Sequence, residues 1–102
     1  FTLAYINLVN KIHKNYNKAK IICAIGPVID GKALAVTRDY IKNDVVNKLN
    51  KENNISDKWL YFLEFEHQVE RDGYGINGHP SLKTHEIMGK HLADFIRETI
   101  KW

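Results

Sequence analysis

Apolar residues recur along the chain in two alternating rhythms, and one stretch near residue 75 obeys neither. Tyr5, Leu8, Val9, Ile12 and Tyr16 fall at i, i+3, i+4, i+7 and i+11, with Asn, Lys and His opposite them. That spacing predicts an amphipathic helix over residues 2–16. His13 lies beside the stripe amid lysines, which predicts a surface position. Ile21-Ile22-Cys23-Ala24-Ile25 is a continuous apolar run closed by Gly26-Pro27. Its length and β-branching predict a strand buried on both faces, as in parallel sheets. A loop over 28–32 follows, with Asp30-Gly31 as its turn signal. Thr37, Tyr40, Ile41, Val45 and Leu49 predict a second helix over 34–50, broken by Asn53-Asn54 and Ser56-Asp57. Residues 59–65, aromatic-rich and apolar on both faces, read as a second strand. The aperiodic stretch is Asp72-Gly73-Tyr74-Gly75-Ile76-Asn77-Gly78-His79-Pro80-Ser81. Beyond it Met88, Leu92, Phe95, Ile96 and Thr99 carry a helical face to the end, with Ser81 placed as its N-cap.

The element order is therefore α-β-α-β-loop-α, without internal repeats. Strands alternating with helices imply right-handed crossovers and a parallel sheet with helices packed on it. Two strands do not make a stable parallel sheet alone, and a chain of 102 residues buries a modest share of its surface. It also opens on Phe1, in mid-pattern. We expect residues 1–102 to be the C-terminal part of one larger α/β domain. Standing alone, its open strand edges should pair with another chain.

Composition narrows the partners. The apolar fraction of 44% and charged fraction of 26% are ordinary for a globular chain. The net charge of +3 is spread over scattered lysines and three arginines, Arg38, Arg71 and Arg97. No basic stripe of the nucleic-acid-binding kind is present. No apolar run approaches the ~20 residues of a membrane span, and no signal peptide is visible. Cys23 is the single cysteine, so it forms no internal disulfide. Its apolar setting predicts a buried, inert thiol, and the compartment stays open on this ground.

The chemistry gathers after the second strand. In open parallel sheets ligands bind beyond the carboxyl ends of the strands, where Gly26-Pro27-Val28, residues 64–72 and His79 lie. Three glycines offer positive φ and Pro80 sets the exit, so the loop holds one imidazole at the mouth of a helix. A metal site is disfavoured: His79, His85 and His91 are spaced by six, which turns side chains to different helix faces, and no second cluster supplies ligands. Serine hydrolysis needs a base within reach of the nucleophile, usually oriented by a carboxylate. His79 can be the base. Neither Ser56, in a hydrophilic turn, nor Ser81, a cap, sits in a nucleophile elbow. On spacing alone, a structurally hydrogen-bonded loop histidine competes with the catalytic reading.

These residues carry a resemblance. From Tyr5 to Trp102 the chain resembles the C-terminal part of an SGNH (GDSL-type) hydrolase, most like carbohydrate esterase family 2, the acetylxylan esterase-like enzymes. The likeness rests on Lys20-Ile21-Ile22-Cys23 through Gly26-Pro27, on Gly78-His79-Pro80-Ser81-Leu82-Lys83-Thr84-His85, and on Met88 and the terminal helix. The resemblance implies a three-layer α/β/α (flavodoxin-like) sandwich, and an upstream serine in a Gly-Asp-Ser turn with its oxyanion donors. It implies deacetylation of plant cell-wall carbohydrate outside the cell, without a cofactor, and maps the family's histidine onto His79. The family pattern places an aspartate two or three residues before that histidine, often as Asp-Trp-His. Here Asn77 stands for the acid and Gly78 for the aromatic. Asn77 could orient the imidazole through its side-chain oxygen, as could a backbone carbonyl, with Asp72, Glu64 and Glu66 as alternative acids. Tyr74 could replace the lost sugar-stacking surface, and Gly78 adjoins the substrate. His85 is expected to cap or pack, and Glu86 to meet the positive helix start.

Two other readings remain: a non-catalytic carbohydrate-binding relative, and a structural fragment with no function of its own. No nucleic-acid or membrane partner is expected, and under the esterase reading the chain alone is expected to be inactive.

Overall fold

The structure, a computed structural model, describes residues 2–52 and 58–101. Its elements are α1 (Thr2–Asn15), β1 (Ile21–Ile25), α2 (Gly31–Asp39), a π-helical segment (Tyr40–Asn47), α3 (Lys48–Glu52), β2 (Leu60–Glu64), two short 3-10 turns and α4 (Leu82–Phe95), which ends in a π-turn (Ile96–Ile100). The predicted helix breaker, residues 53–57 with Ser56, lies outside the described residues. β1 and β2 pair in parallel as a two-stranded sheet. The Ile21 N–H donates to the Trp59 carbonyl (2.9 Å) at one end, and the Phe65 N–H to the Ile25 carbonyl (3.0 Å) at the other. The fold is α/β, as the alternating rhythms predict.

The chain divides into two compact units. The first comprises Phe1–Cys23 and Thr37–Leu63, the second Ala24–Val36 and Glu64–Trp102. The first holds a dense apolar core: Val9, Cys23, Ile41, Val45, Val46, Leu49, Trp59, Leu60, Tyr61 and Leu63 are all buried. The π segment explains part of it. Bonding from i to i+5 widens the turn, so Ile41, Val45 and Val46 all face inward. Asn50 closes the end of this unit. Its Nδ2 donates to the Leu60 carbonyl (2.8 Å), while its Oδ1 accepts from the Trp59 and Leu60 N–H groups (3.3 and 3.2 Å). Tyr5 and Cys23 share a hydrogen bond, and burial pushes both their pKa values up; the bond to the thiol raises Tyr5 further and partly offsets the rise in Cys23. Cys23 is thus the buried, protonated thiol that its surroundings predict.

Three expectations about the helices need correction. α1 buries only Val9 of its stripe, leaving Leu8 and Tyr16 exposed. His13 is no simple surface residue: its ring stacks on Trp59 at 3.8 Å and 21°. α2 begins three residues before the predicted start, because the Asp30 carbonyl already accepts the Leu34 N–H (3.1 Å). The Asp-Gly pair read as a loop turn is the helix entry.

Among the described residues the second unit buries Ile25, Pro27 and Thr84. Ala24 is exposed, so β1 is not covered on both faces along its length; an apolar run is buried only where another layer covers it. Met88, Leu92, Phe95 and Ile96 of α4 are half-buried, and Thr99 is exposed. On the open side of α4, the Lys90 ammonium bonds Asp94 at 2.7 Å and Arg97 adds a contact at 3.2 Å. The Lys90 bond is the main cause that holds the Asp94 carboxyl below its ordinary range. Among the described residues no helix is long and apolar enough to cross a membrane.

Candidate functional site

The carboxyl ends of both strands open into the second unit, and there the chain is tied by polar bonds. The Pro27 carbonyl, two residues past β1, accepts the Gln68 N–H (2.9 Å) and lies 2.7 Å from His67 Nδ1. His67 Nε2 lies 3.6 Å from an Asp30 carboxylate oxygen. A 3-10 turn (Glu70–Asp72) follows, and Gly73 then reverses the chain at φ 77. Tyr74 pairs antiparallel with Pro80. Within that small loop the Gly75 N–H donates to the His79 carbonyl (2.6 Å) and the His79 N–H to the Ile76 carbonyl (3.1 Å). The loop closes where the Ser81 hydroxyl donates to the Asp72 carbonyl (2.7 Å).

The glycines of this loop meet two different demands. Gly73 and Gly78 take positive φ, at 77° and 75°, a region side chains rarely enter. Gly75 does not; its φ is −81°. It is needed for closeness, since a Cβ there would stand 3.1 Å from the Pro80 carbonyl oxygen and 3.3 Å from that of His79. Asn77 sits between them at φ 55 and ψ 35. Asparagine is one of the few residues that visits this left-handed region readily. The backbone therefore supplies a reason for Asn at 77, beside the replacement of an acid.

His79 and His67 differ in a way that matters. Both ring nitrogens of His67 face a partner. The His79 imidazole is exposed and, among the described residues, has no hydrogen bond, ion pair or ring contact. The Asn77 side chain makes none to it. His79 thus presents a free imidazole on a backbone pinned at both its N–H and its carbonyl. Tyr74 (53% exposed), Ile76 (83%) and Leu82 (85%) surround it in sequence as open apolar surface.

Other candidates sort themselves. Ser81 is a cap: its Oγ accepts the Thr84 N–H (3.2 Å) while its proton goes to Asp72. His85 is exposed, and among the described residues its side chain makes no hydrogen bond, ion pair or ring contact. Glu86 lies past the first turn and pairs with Lys83 at 3.7 Å, beyond the helix entry. His91 meets Phe65 edge-on at 5.6 Å. A cleft of about 80 Å³, lined by Phe65, His67, Asp72, Thr84, Met88 and His91, lies at the root of the loop, and His79 is not in its wall. Among the described residues no three His, Cys, Asp or Glu side chains are grouped to hold a metal.

Sequence reasoning passed over Gln68 and His67. Gln68 Nε2 donates to the Gly78 carbonyl at 2.8 Å. The available signal was positional: both residues follow β2 directly, at the carboxyl end where the loops of a parallel sheet do their work.

No protein-family model matches the chain. It is 36% identical over all 102 residues to the cellulase/esterase CelE of Acetivibrio thermocellus, of which it spans 12%. Among solved structures it is similar to a family two carbohydrate esterase from Clostridium thermocellum in complex with cellohexaose (TM-score 0.89, 37% identity). An active-site mutant of such an esterase, also solved as a complex, gives a TM-score of 0.90 at the same identity. In both, all of this chain is matched and 30% of the other. The chain is therefore similar along its whole length to one portion of a family two carbohydrate esterase.

Proposed function

We propose that this chain is the C-terminal portion of a family two serine carbohydrate esterase, an SGNH hydrolase that removes O-acetyl groups from plant cell-wall polysaccharide outside the cell, and that it supplies the histidine. The observation that carries this reading is the free imidazole of His79 on its pinned loop, in a chain so similar throughout to carbohydrate esterases.

In the proposed reaction a serine from the preceding part of the domain attacks the acetyl carbonyl. His79 takes the serine proton as the C–O bond forms and gives it to the departing sugar oxygen as the ester bond breaks. Water then repeats the cycle: His79 removes its proton, acetate leaves, and the serine is reprotonated. No orienting bond to the ring is made among the described residues, so Asn77 or a backbone carbonyl would take the place of a carboxylate only in the complete domain; Tyr74 and Gly78 border the sugar. The reading assigns no cofactor. The free edges of the two-stranded sheet would be met by the rest of the domain or, in its absence, by a second copy of the chain. Alone the chain would be inactive.

The test is acetate release from an acetylated xylo-oligosaccharide by the intact protein. His79→Ala should lower kcat by a factor on the order of 10² to 10⁴, the usual contribution of a positioned acid-base group. Undiminished release in that variant sinks the assignment. One observation favours a second reading, a non-catalytic sugar-binding relative: no carboxylate contacts His79 among the described residues. That reading predicts oligosaccharide binding by the intact protein with no acetate released.

A further inference from the structure

The peptide joining Gly78 to His79 is held from outside the loop by one side chain. Gln68 reaches ten residues along the chain, and its Nε2 donates to the Gly78 carbonyl at 2.8 Å. The N–H of the same peptide, which belongs to His79, donates to the Ile76 carbonyl at 3.1 Å. The plane is thus fixed at both poles. Gln68 is itself anchored, because its own N–H is bonded to the Pro27 carbonyl at 2.9 Å, two residues past β1. A relay of two hydrogen bonds therefore runs from the loop after β1 to the backbone of His79.

The chemistry of the amide fixes its orientation. Only the NH₂ side can face a carbonyl. That leaves Oε1 turned inward, where it is buried with no donor among the described residues. A buried amide half-satisfied in this way is a poor stabilising element. Its evident use is directional, and what it directs is the Gly78–His79 peptide. Gly78, at φ 75, needs that help, because without a Cβ a glycine is the least restricted residue.

The geometry points to Gln68 as a positioning residue for His79, which sets the imidazole by fixing the peptide plane behind it. This rests on the reading of His79 as the acid-base group. The role is distinct from that of Asn77, which would act on the ring itself.

Two variants of the intact protein test it. Gln68→Met keeps the length and removes the donor. Gln68→Glu keeps the shape and turns an oxygen toward the Gly78 carbonyl. In both, amide exchange at His79 and Gly75 should quicken at least tenfold, with Val45 and Val46 unchanged as the folding control. Turnover of the acetylated oligosaccharide should fall about tenfold in kcat, with KM held within twofold. The inference is overturned if exchange at the two loop amides is unaltered in both variants. It is equally overturned if kcat is unaltered in a protein that His79→Ala inactivates. Full activity of His79→Ala would instead remove the acid-base reading alone, and the exchange rates would still decide whether Gln68 holds the loop.

Discussion

The two units of this chain are held by different forces. Among the described residues the first, Phe1–Cys23 with Thr37–Leu63, buries ten apolar side chains from Val9 to Leu63. Its polar atoms serve closure: Asn50 satisfies the backbone groups at the start of β2 with three bonds. The second buries Ile25, Pro27 and Thr84, and is tied by carbonyl-directed bonds from Gln68, His67 and Ser81. Apolar burial scales with area and has no direction; a hydrogen bond holds one group at one angle. The unit that must be stable uses the first force, and the unit that presents an imidazole uses the second.

That contrast can be broken at either end. The largest effect should come from Leu60, fully buried in the first unit. Leu60→Ala should destabilise the intact protein by about 3 kcal/mol in urea unfolding, yet leave kcat unchanged wherever the protein stays folded. A fall in kcat at constant structure would show that the units are not separable. Asn50→Ala comes next, at about 2 kcal/mol, since it orphans backbone groups; a loss below a few tenths of a kcal/mol would mean that water replaces the cap. Gly75→Ala should reverse the pattern. A Cβ 3.1 Å from the Pro80 carbonyl oxygen forces the loop apart, so kcat should drop at least tenfold while the unfolding midpoint hardly moves.

The smallest effect is electrostatic. Burial raises the pKa of Cys23 and of Tyr5 in the folded chain. Each group therefore keeps its proton more tightly folded than unfolded. Their contribution is whole at neutral pH and is lost as pH climbs past the ordinary values, 9.0 for the thiol and 10.0 for the phenol. Cys23→Ala should flatten the fall in stability over the alkaline range, and an equally steep fall would contradict the cause assigned.

The same division governs what the chain's pattern reveals. The first unit is written in periodicity. Ile41, Val45 and Leu49 announce their helix, and the run from Ile21 announces β1 within a residue. What misleads there is covering: Leu8 and Tyr16 share a stripe with Val9, but periodicity cannot say which members of a stripe another element will meet. The stack of His13 on Trp59 joins residues 46 positions apart in number, and no local signal foretells it. The π segment is likewise invisible, since its apolar spacing differs little from that of an α-helix.

The second unit is written in single residues. Three glycines, an asparagine and a proline around His79 mark a loop with a purpose, and Ser81 marks where it ends. Gln68 escapes notice because a glutamine carries no period and no charge; only the fold brings it to Gly78. Asn77 was legible as a departure from an acid, while its left-handed φ of 55° emerges only with the backbone.

The most direct test of this account measures catalysis and stability on one sample. His79→Ala in the intact protein should lose at least a hundredfold in acetyl-ester turnover while its urea midpoint stays within error of the parent. Turnover that survives, or that falls only in step with unfolding, would contradict a chain that folds on one unit and presents its chemistry on the other.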